Sequence, residues 1–198
     1  MSVTSVTSVS GAVTVDRFIN ELCEIPEADF GVENVYDFLA KTNVCPVSLE
    51  PYLLWSPRCY TRNLVFKNEL FELLAICWGA GQVSRVHNHY GQKCWMSVPI
   101  GTLRVQNFNT LECDETKGFC RLEKAEAFDM HQTQPAKVEM DEPVHQVLNV
   151  SDEKAVSLHV YSKPYDRCLI YSVPQNSFSE VQLFYTSMFG KLCDGVEL

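Results

Sequence analysis

From about residue 58 the chain is a succession of short runs rich in β-branched and aromatic residues, each broken by Gly, Pro, Asn or Asp. The runs are "CYTRNLVF", "FELLAICW", "KCWMSVPI", "TLRVQNF", "HQVLNV", "AVSLHVYS" and "CLIYSV". Strands in such regular succession predict a β-sandwich or barrel and argue against alternating β-α units. Three short helical patterns precede them. "VDRFINELC" repeats Val15, Phe18, Ile19 and Leu22 at helical spacing, with Thr14 placed to cap it. "VENVYDFLAK" does the same with Val32, Val35, Tyr36 and Leu39. In "SLEPYLLW", Ser48 is the expected cap and Pro51 lies in the first turn, where a missing N–H is tolerated. The expected fold is mainly β: an antiparallel barrel over about 58–185, fronted by a helical cap over about 14–56, in one domain from 14 to 198. Residues 1–13, with their SVT repeat, read as a flexible tail. "LECDETKGF" and "QTQPAKVEMDEPV" read as exposed loops or edge hairpins.

The formal net charge of -9 argues against nucleic acid and against an anionic membrane surface, both of which need clustered Lys and Arg. No run is long enough to cross a membrane, and the N-terminus lacks the basic start and apolar block of a secretory signal. The nine cysteines stand singly, with no C-x-x-C pair. That pattern predicts free, mostly buried thiols in a reducing cytoplasm rather than a disulfide framework or a zinc knuckle.

The chemistry concentrates in "GQVSRVHNHYGQKCWMSVPIG", residues 81–101. On extended backbone His87 and His89 point the same way and suit two ligands of one metal. Cys94 follows five residues later, where a carboxylate ligand is often found; a third ligand, a nucleophile and some other role are all open to it. Gly81 and Gly101 complete G-x5-H-x-H-x4-C-x6-G, which resembles the first motif of the cupins. "HQVLN" adds His145 and Asn149 and resembles the end of the second, although Met140 and Glu142 replace its usual Pro and Gly. Cupins are double-stranded antiparallel barrels (jelly rolls), in agreement with the strand reading. Three histidines suit Fe, Zn, Cu or Ni. With no carboxylate among them the metal's charge stays uncompensated, so an anionic substrate such as a thiolate is a favoured ligand.

Further segments narrow the resemblance. "YTRNLV" at 60–65, "CWG" at 77–79, the H-x-H-x4-C stretch, His145 and "VSLHVYSKPYDRC" at 156–168 together resemble the cysteine dioxygenases. The resemblance implies that His87, His89 and His145 hold one Fe(2+) per chain, that Arg62 binds the substrate carboxylate and that Tyr60 lines the same pocket. It implies a thioether between Cys94 and Tyr161, and a hydrogen-bonded series Ser157, His159, Tyr161. Trp78 and Cys168 match pocket positions. The partners it implies are L-cysteine and O2, in a cytoplasmic monomer.

The residues carry part of this unaided. Alternation along "YTRNLVF" puts Tyr60, Arg62, Leu64 and Phe66 on one face. An arginine there needs an anion, either a substrate carboxylate or an internal Asp or Glu. Ser157, His159 and Tyr161 share a face two residues apart, as a hydrogen-bonded line requires. His131 has no strand periodicity and reads as a loop residue. Two rival functions remain: a dioxygenase for another thiol such as 3-mercaptopropionate, whose relatives tend to carry glutamine at the Arg62 position, and a non-catalytic metal-binding cupin acting as a sensor or store.

Overall fold

In a computed structural model, described for residues 11–132, 136–137 and 144–198, two sheets enclose a chamber and helices cover the outer face of one of them. The helices are α1 (Val15–Cys23) and α2 (Val32–Lys41). The strands are β1 (Thr61–Lys67), β2 (Glu72–Trp78), β3 (Val86–His87), β4 (Lys93–Ile100), β5 (Thr102–Asp114), β6 (Phe119–His131) and β7 (Ala136–Lys137). They continue as β8 (Val144–Leu148), β9 (Ala155–Ser162), β10 (Arg167–Ser172), β11 (Ser177–Gln182), β12 (Ser187–Met188) and β13 (Lys191–Leu192). The first sheet runs β13-β12-β1-β2-β9-β4-β7; the second runs β10-β11-β6-β5-β8-β3 and closes on itself. This is the mainly-β barrel expected from the strand succession, of the cupin type that the motif resemblance implies.

The helical cap forms for the reasons its sequence gives. Thr14 Oγ1 accepts from Arg17 N, and Val15, Phe18, Ile19 and Leu22 are all buried. Each such side chain stabilises the fold by roughly 2 kcal/mol through apolar burial. Their packing partners are Leu73, Ala75 and Cys77 of β2 and Val156, Leu158 and Val160 of β9. The alternate residues Leu74, Ile76 and Trp78, with Cys94, Met96 and Tyr161, face the chamber. With apolar partners on both faces, β2 is buried at every position. Gly101 makes the turn from β4 into β5 at φ 74°, where a Cβ would stand 2.8 Å from Lys154 O; this accounts for the glycine of the motif.

Several expectations need correction. The third helical segment is a 3-10 turn, Pro46–Tyr52, with Cys45 at its cap and Pro51 inside it. Ser48 instead accepts from Val15 N and ties the turn to α1. Val13, assigned by sequence to the tail, bridges Val44; the rest of the tail, residues 1–10, lies outside the described residues, as do Met140 and Glu142 and most of "QTQPAKVEMDEPV". The sheet continues past residue 185 through β12, which runs parallel to β1. "LECDETKGF" lies in the β5–β6 hairpin, and there Cys113 and Cys120 are directly opposed, with Cα atoms 4.2 Å apart, and form a disulfide. Nine free thiols are therefore not found, and of the free cysteines Cys23 and Cys59 are exposed. His131 ends strand β6, exposed, rather than lying in a loop.

Candidate metal centre and substrate chamber

β3 is two residues long, held between β8 and β10, and its His87 is the direct cross-strand partner of His145 on β8. His89 follows just beyond the strand. The three imidazoles converge, with ring centroids 4.7 to 5.5 Å apart and a ligand nitrogen from each within 4.8 Å of the others. Cys94 does not join this group. His87 Nδ1 lies 2.8 Å from Arg85 O and takes the proton there, leaving Nε2 free to ligate. Both ring nitrogens of His89 and Nε2 of His145 are buried without a hydrogen-bond partner among the described residues. Unpaired buried polar atoms are costly, and a metal ion would satisfy one nitrogen of each ring. Burial lowers the His87 pKa to about 4, and burial plus neighbouring imidazoles hold those of His89 and His145 well below the ordinary value. At neutral pH all three are uncharged donors, the form a metal requires.

A hydrogen-bonded line runs along the next wall. Trp78 Nε1 donates to Ser157 Oγ at 2.9 Å, Ser157 Oγ lies 2.8 Å from His159 Nε2, and His159 Nδ1 lies 3.1 Å from the Tyr161 hydroxyl. Ser157 is fully buried, so its own proton needs an acceptor, and His159 Nε2 is the one within reach. That assigns the imidazole proton to Nδ1, facing the phenolic oxygen. The Tyr161 hydroxyl proton is then free to donate into the chamber, beside the His89 ring 5.5 Å away. Burial also raises the Tyr161 pKa well above that of an ordinary phenol, which keeps the proton in place. Cys94 is paired with Tyr161 across β4 and β9, its Sγ 3.8 Å from His159 Nδ1. Burial pushes its thiol far up, which disfavours both a nucleophilic and a ligating thiolate.

Arg62 enters from β1. Its Nε and Nη2 are buried and unpartnered, and no ion pair to Asp or Glu satisfies them among the described residues. Tyr60 lies stacked on Trp78, centroids 4.6 Å apart, and Cys168 on β10 is buried with its thiol pKa raised by desolvation. A register shift between Leu64 and Phe66 turns Phe66 to the helix side, so the shared face of "YTRNLVF" ends at Leu64. Sequence reasoning missed three chamber residues. Tyr165 lies 5.1 Å from the Tyr161 ring, in a loop without periodicity. Tyr185, packed against the chamber cluster, lies outside any strand. Glu72 stands on the inward face of β2, where alternation with Leu74, Ile76 and Trp78 was the available signal.

The fold and the three-histidine centre define a metal-binding cupin. Residues 1–173 match the family Cysteine dioxygenase type I, and the chain belongs to that family. It is 31% identical to cysteine dioxygenase type 1 of Rattus norvegicus over 176 residues, 88% of this chain and 85% of the relative. It is 28% identical to that of Danio rerio over 188 residues, 93% and 92% of the two chains. Among solved structures it is similar to an uncharacterized double-stranded β-helix protein of Klebsiella pneumoniae, with TM-score 0.44, 16% identity and coverage of 69% of this chain and 88% of that one.

Proposed function

We propose that the chain is a thiol dioxygenase that oxidises L-cysteine to cysteine sulfinate, both atoms of O2 passing to sulfur. The observation that carries this reading is Arg62: a buried guanidinium with two unpartnered nitrogens in the chamber that the three histidines also line. Its planar fork fits a substrate carboxylate.

His87, His89 and His145 would hold one ferrous iron per chain, which supplies O2 activation and a binding place for the thiolate. The remaining roles belong to the protein. Arg62 anchors the carboxylate and fixes the thiol's approach. Tyr161 presents its hydroxyl proton to the reacting groups, and Trp78, Ser157 and His159 hold that proton in direction. Tyr60, stacked on Trp78, and Cys168 close the wall around the substrate. Cys94 is the covalent partner of Tyr161. The chain works as a monomer and a single domain in the cytoplasm.

The test is O2 uptake by iron-loaded protein against L-cysteine, cysteamine and 3-mercaptopropionate, with sulfinate identified by mass spectrometry under 18O2. Cysteine sulfinate carrying two heavy oxygens is the expected product. Faster turnover of 3-mercaptopropionate would move the assignment to that thiol. No uptake with any thiol at full iron occupancy would leave a non-catalytic metal-binding cupin.

A further inference from the structure

Two of the three histidines at the metal centre are held by their own strands. His87 lies in β3 with its Nδ1 against Arg85 O, and His145 lies in β8, which pairs with both β3 and β5. His89 follows the end of β3, and both of its ring nitrogens lack a hydrogen-bond partner among the described residues. Its printed ring neighbours beyond the other two ligands are Tyr161 and Tyr165, with centroids 5.5 and 6.4 Å away. Apolar packing is non-directional, so where the imidazole points depends on where the backbone at 88–90 places it.

Asn88 holds that backbone. The ladder between β3 and β10 pairs Val86 with Tyr171 and His87 with Ile170, which brings Asn88 opposite Leu169. Asn88 N donates to Leu169 O at 3.2 Å, but the return bond runs to the side chain: Leu169 N donates to Asn88 Oδ1 at 3.0 Å. In a regular antiparallel pair that bond goes to the main-chain carbonyl. With the side chain in its place, the main chain leaves the sheet at Asn88 while the strand end stays fastened. The same Oδ1 accepts from Tyr90 N at 3.3 Å, so the bond spans His89. Two N–H groups facing one oxygen fix which way the amide points, and Asn88 Nδ2 reaches the Tyr171 hydroxyl at 3.4 Å.

The far side of His89 is tied to the same row. Tyr90 stands at φ 54°, the left-handed region that a residue with a side chain occupies at a cost. Its hydroxyl donates to Glu180 Oε2 at 2.7 Å, and Glu180 on β11 is the cross-strand partner of Leu169. Asn88 is 3% exposed and Tyr90 45%, which makes Asn88 the stronger anchor, because a hydrogen bond shielded from water is electrostatically stronger.

We propose that Asn88 is a positioning residue of the metal centre: its side-chain oxygen, bonded to Leu169 N and Tyr90 N, holds the backbone that carries His89 and so sets the affinity of the three-histidine site for a divalent metal. The inference rests on the metal centre of the proposed function and deepens it, adding a residue that is itself no ligand.

The test is the Fe(2+) affinity of the full chain, measured anaerobically by competition with a chromophoric chelator, for wild type, Asn88→Ala, Asn88→Asp and Asn63→Ala. Asn88→Ala should bind iron about tenfold more weakly, the low end of the effect of losing a group that orients a ligand. Asn88→Asp keeps an oxygen for both N–H donors and should bind iron as wild type does. Asn63 is the comparison for stability: it is 0% exposed and is bonded to Ala75 O and Ser187 Oγ, tying β1 to β2 and β12. Asn63→Ala should lower the melting temperature of the metal-free protein and leave iron affinity unchanged. The proposal is overturned by wild-type affinity in Asn88→Ala, or by an equal loss in Asn63→Ala, which would assign the effect to general stability. A tenfold loss in Asn88→Asp overturns it as well, and this variant decides the matter if Asn88→Ala does not fold. A wild type that binds no iron sinks the metal centre and the role of Asn88 with it. A wild type that binds iron but oxidises no thiol sinks the dioxygenase reading alone, and the affinities still decide the role of Asn88.

Discussion

Cys94 and Tyr161 are direct cross-strand partners on β4 and β9, both buried and both facing the chamber. Side chains so paired have Cβ atoms about 5 Å apart, within reach of a sulfur-to-ring bond. Forming that bond removes one hydrogen from the thiol and one from the ring, with O2 as oxidant. Intact mass of iron-loaded protein after aerobic turnover is expected to show a species lighter by two hydrogens, and peptide mapping should join the segments containing Cys94 and Tyr161. Cys94→Ser should abolish that species. A turned-over protein of unaltered mass would remove Cys94 from the chemistry and leave it as packing.

Arg62 offers a sharper kinetic contrast. Charge-assisted hydrogen bonds are worth about 1.5–3 kcal/mol, so Arg62→Ala should raise KM for L-cysteine roughly 10- to 100-fold. Cysteamine lacks the carboxylate and should be affected far less. Initial rates over a concentration range for both thiols decide this. Equal losses would mean that Arg62 supports the fold of β1 rather than the substrate.

How much of this was legible in the sequence follows from the periods involved. Strand alternation brings Ser157, His159 and Tyr161 to one face, and H-x-H brings His87 and His89 together, because those arrangements are local. His145 joins them through a pairing 58 residues distant, which only a family motif could foretell. What escaped depends on irregularity or on the third dimension. The register shift after Leu64 reverses Phe66, and no sequence signal marks it. Tyr165 and Tyr185 reach the chamber from segments without a period. The Cys113–Cys120 disulfide arises from hairpin register, invisible to a count of spacings. Glu72 was legible by alternation, but a single carboxylate in an apolar run attracts no motif.

The metal centre should also be visible in stability. A ligand that binds only the folded chain stabilises it by mass action, about 2.7 kcal/mol at a hundred times Kd. Adding Fe(2+) anaerobically should therefore raise the melting temperature of metal-free wild type, and a chelator should reverse it. His145→Ala, which removes one of the three nitrogens, should melt independently of iron. A variant that still responds fully would place the metal elsewhere.

Acid should destabilise the metal-free protein through its buried imidazoles. Burial, with Arg62 and His87 nearby, lowers the His159 pKa from 6.5 to about 3 in the fold. Below pH 6.5 the unfolded chain takes up a proton at this position that the folded chain refuses. Stability is therefore complete above pH 6.5 and falls as the pH drops toward 3, by about 1.4 kcal/mol per pH unit for each such histidine. At pH 5 His159 alone accounts for about 2 kcal/mol. His87, lowered to about 4, adds a loss of the same sign. Urea midpoints of metal-free protein between pH 7 and 5 should decrease accordingly. His159→Gln, which keeps a polar group beside Ser157 but cannot titrate, should lose its own share of that slope. Identical pH dependence in the two proteins would mean that His159 takes up its proton as readily in the folded chain as in the unfolded one, and the predicted effect of its burial would be wrong.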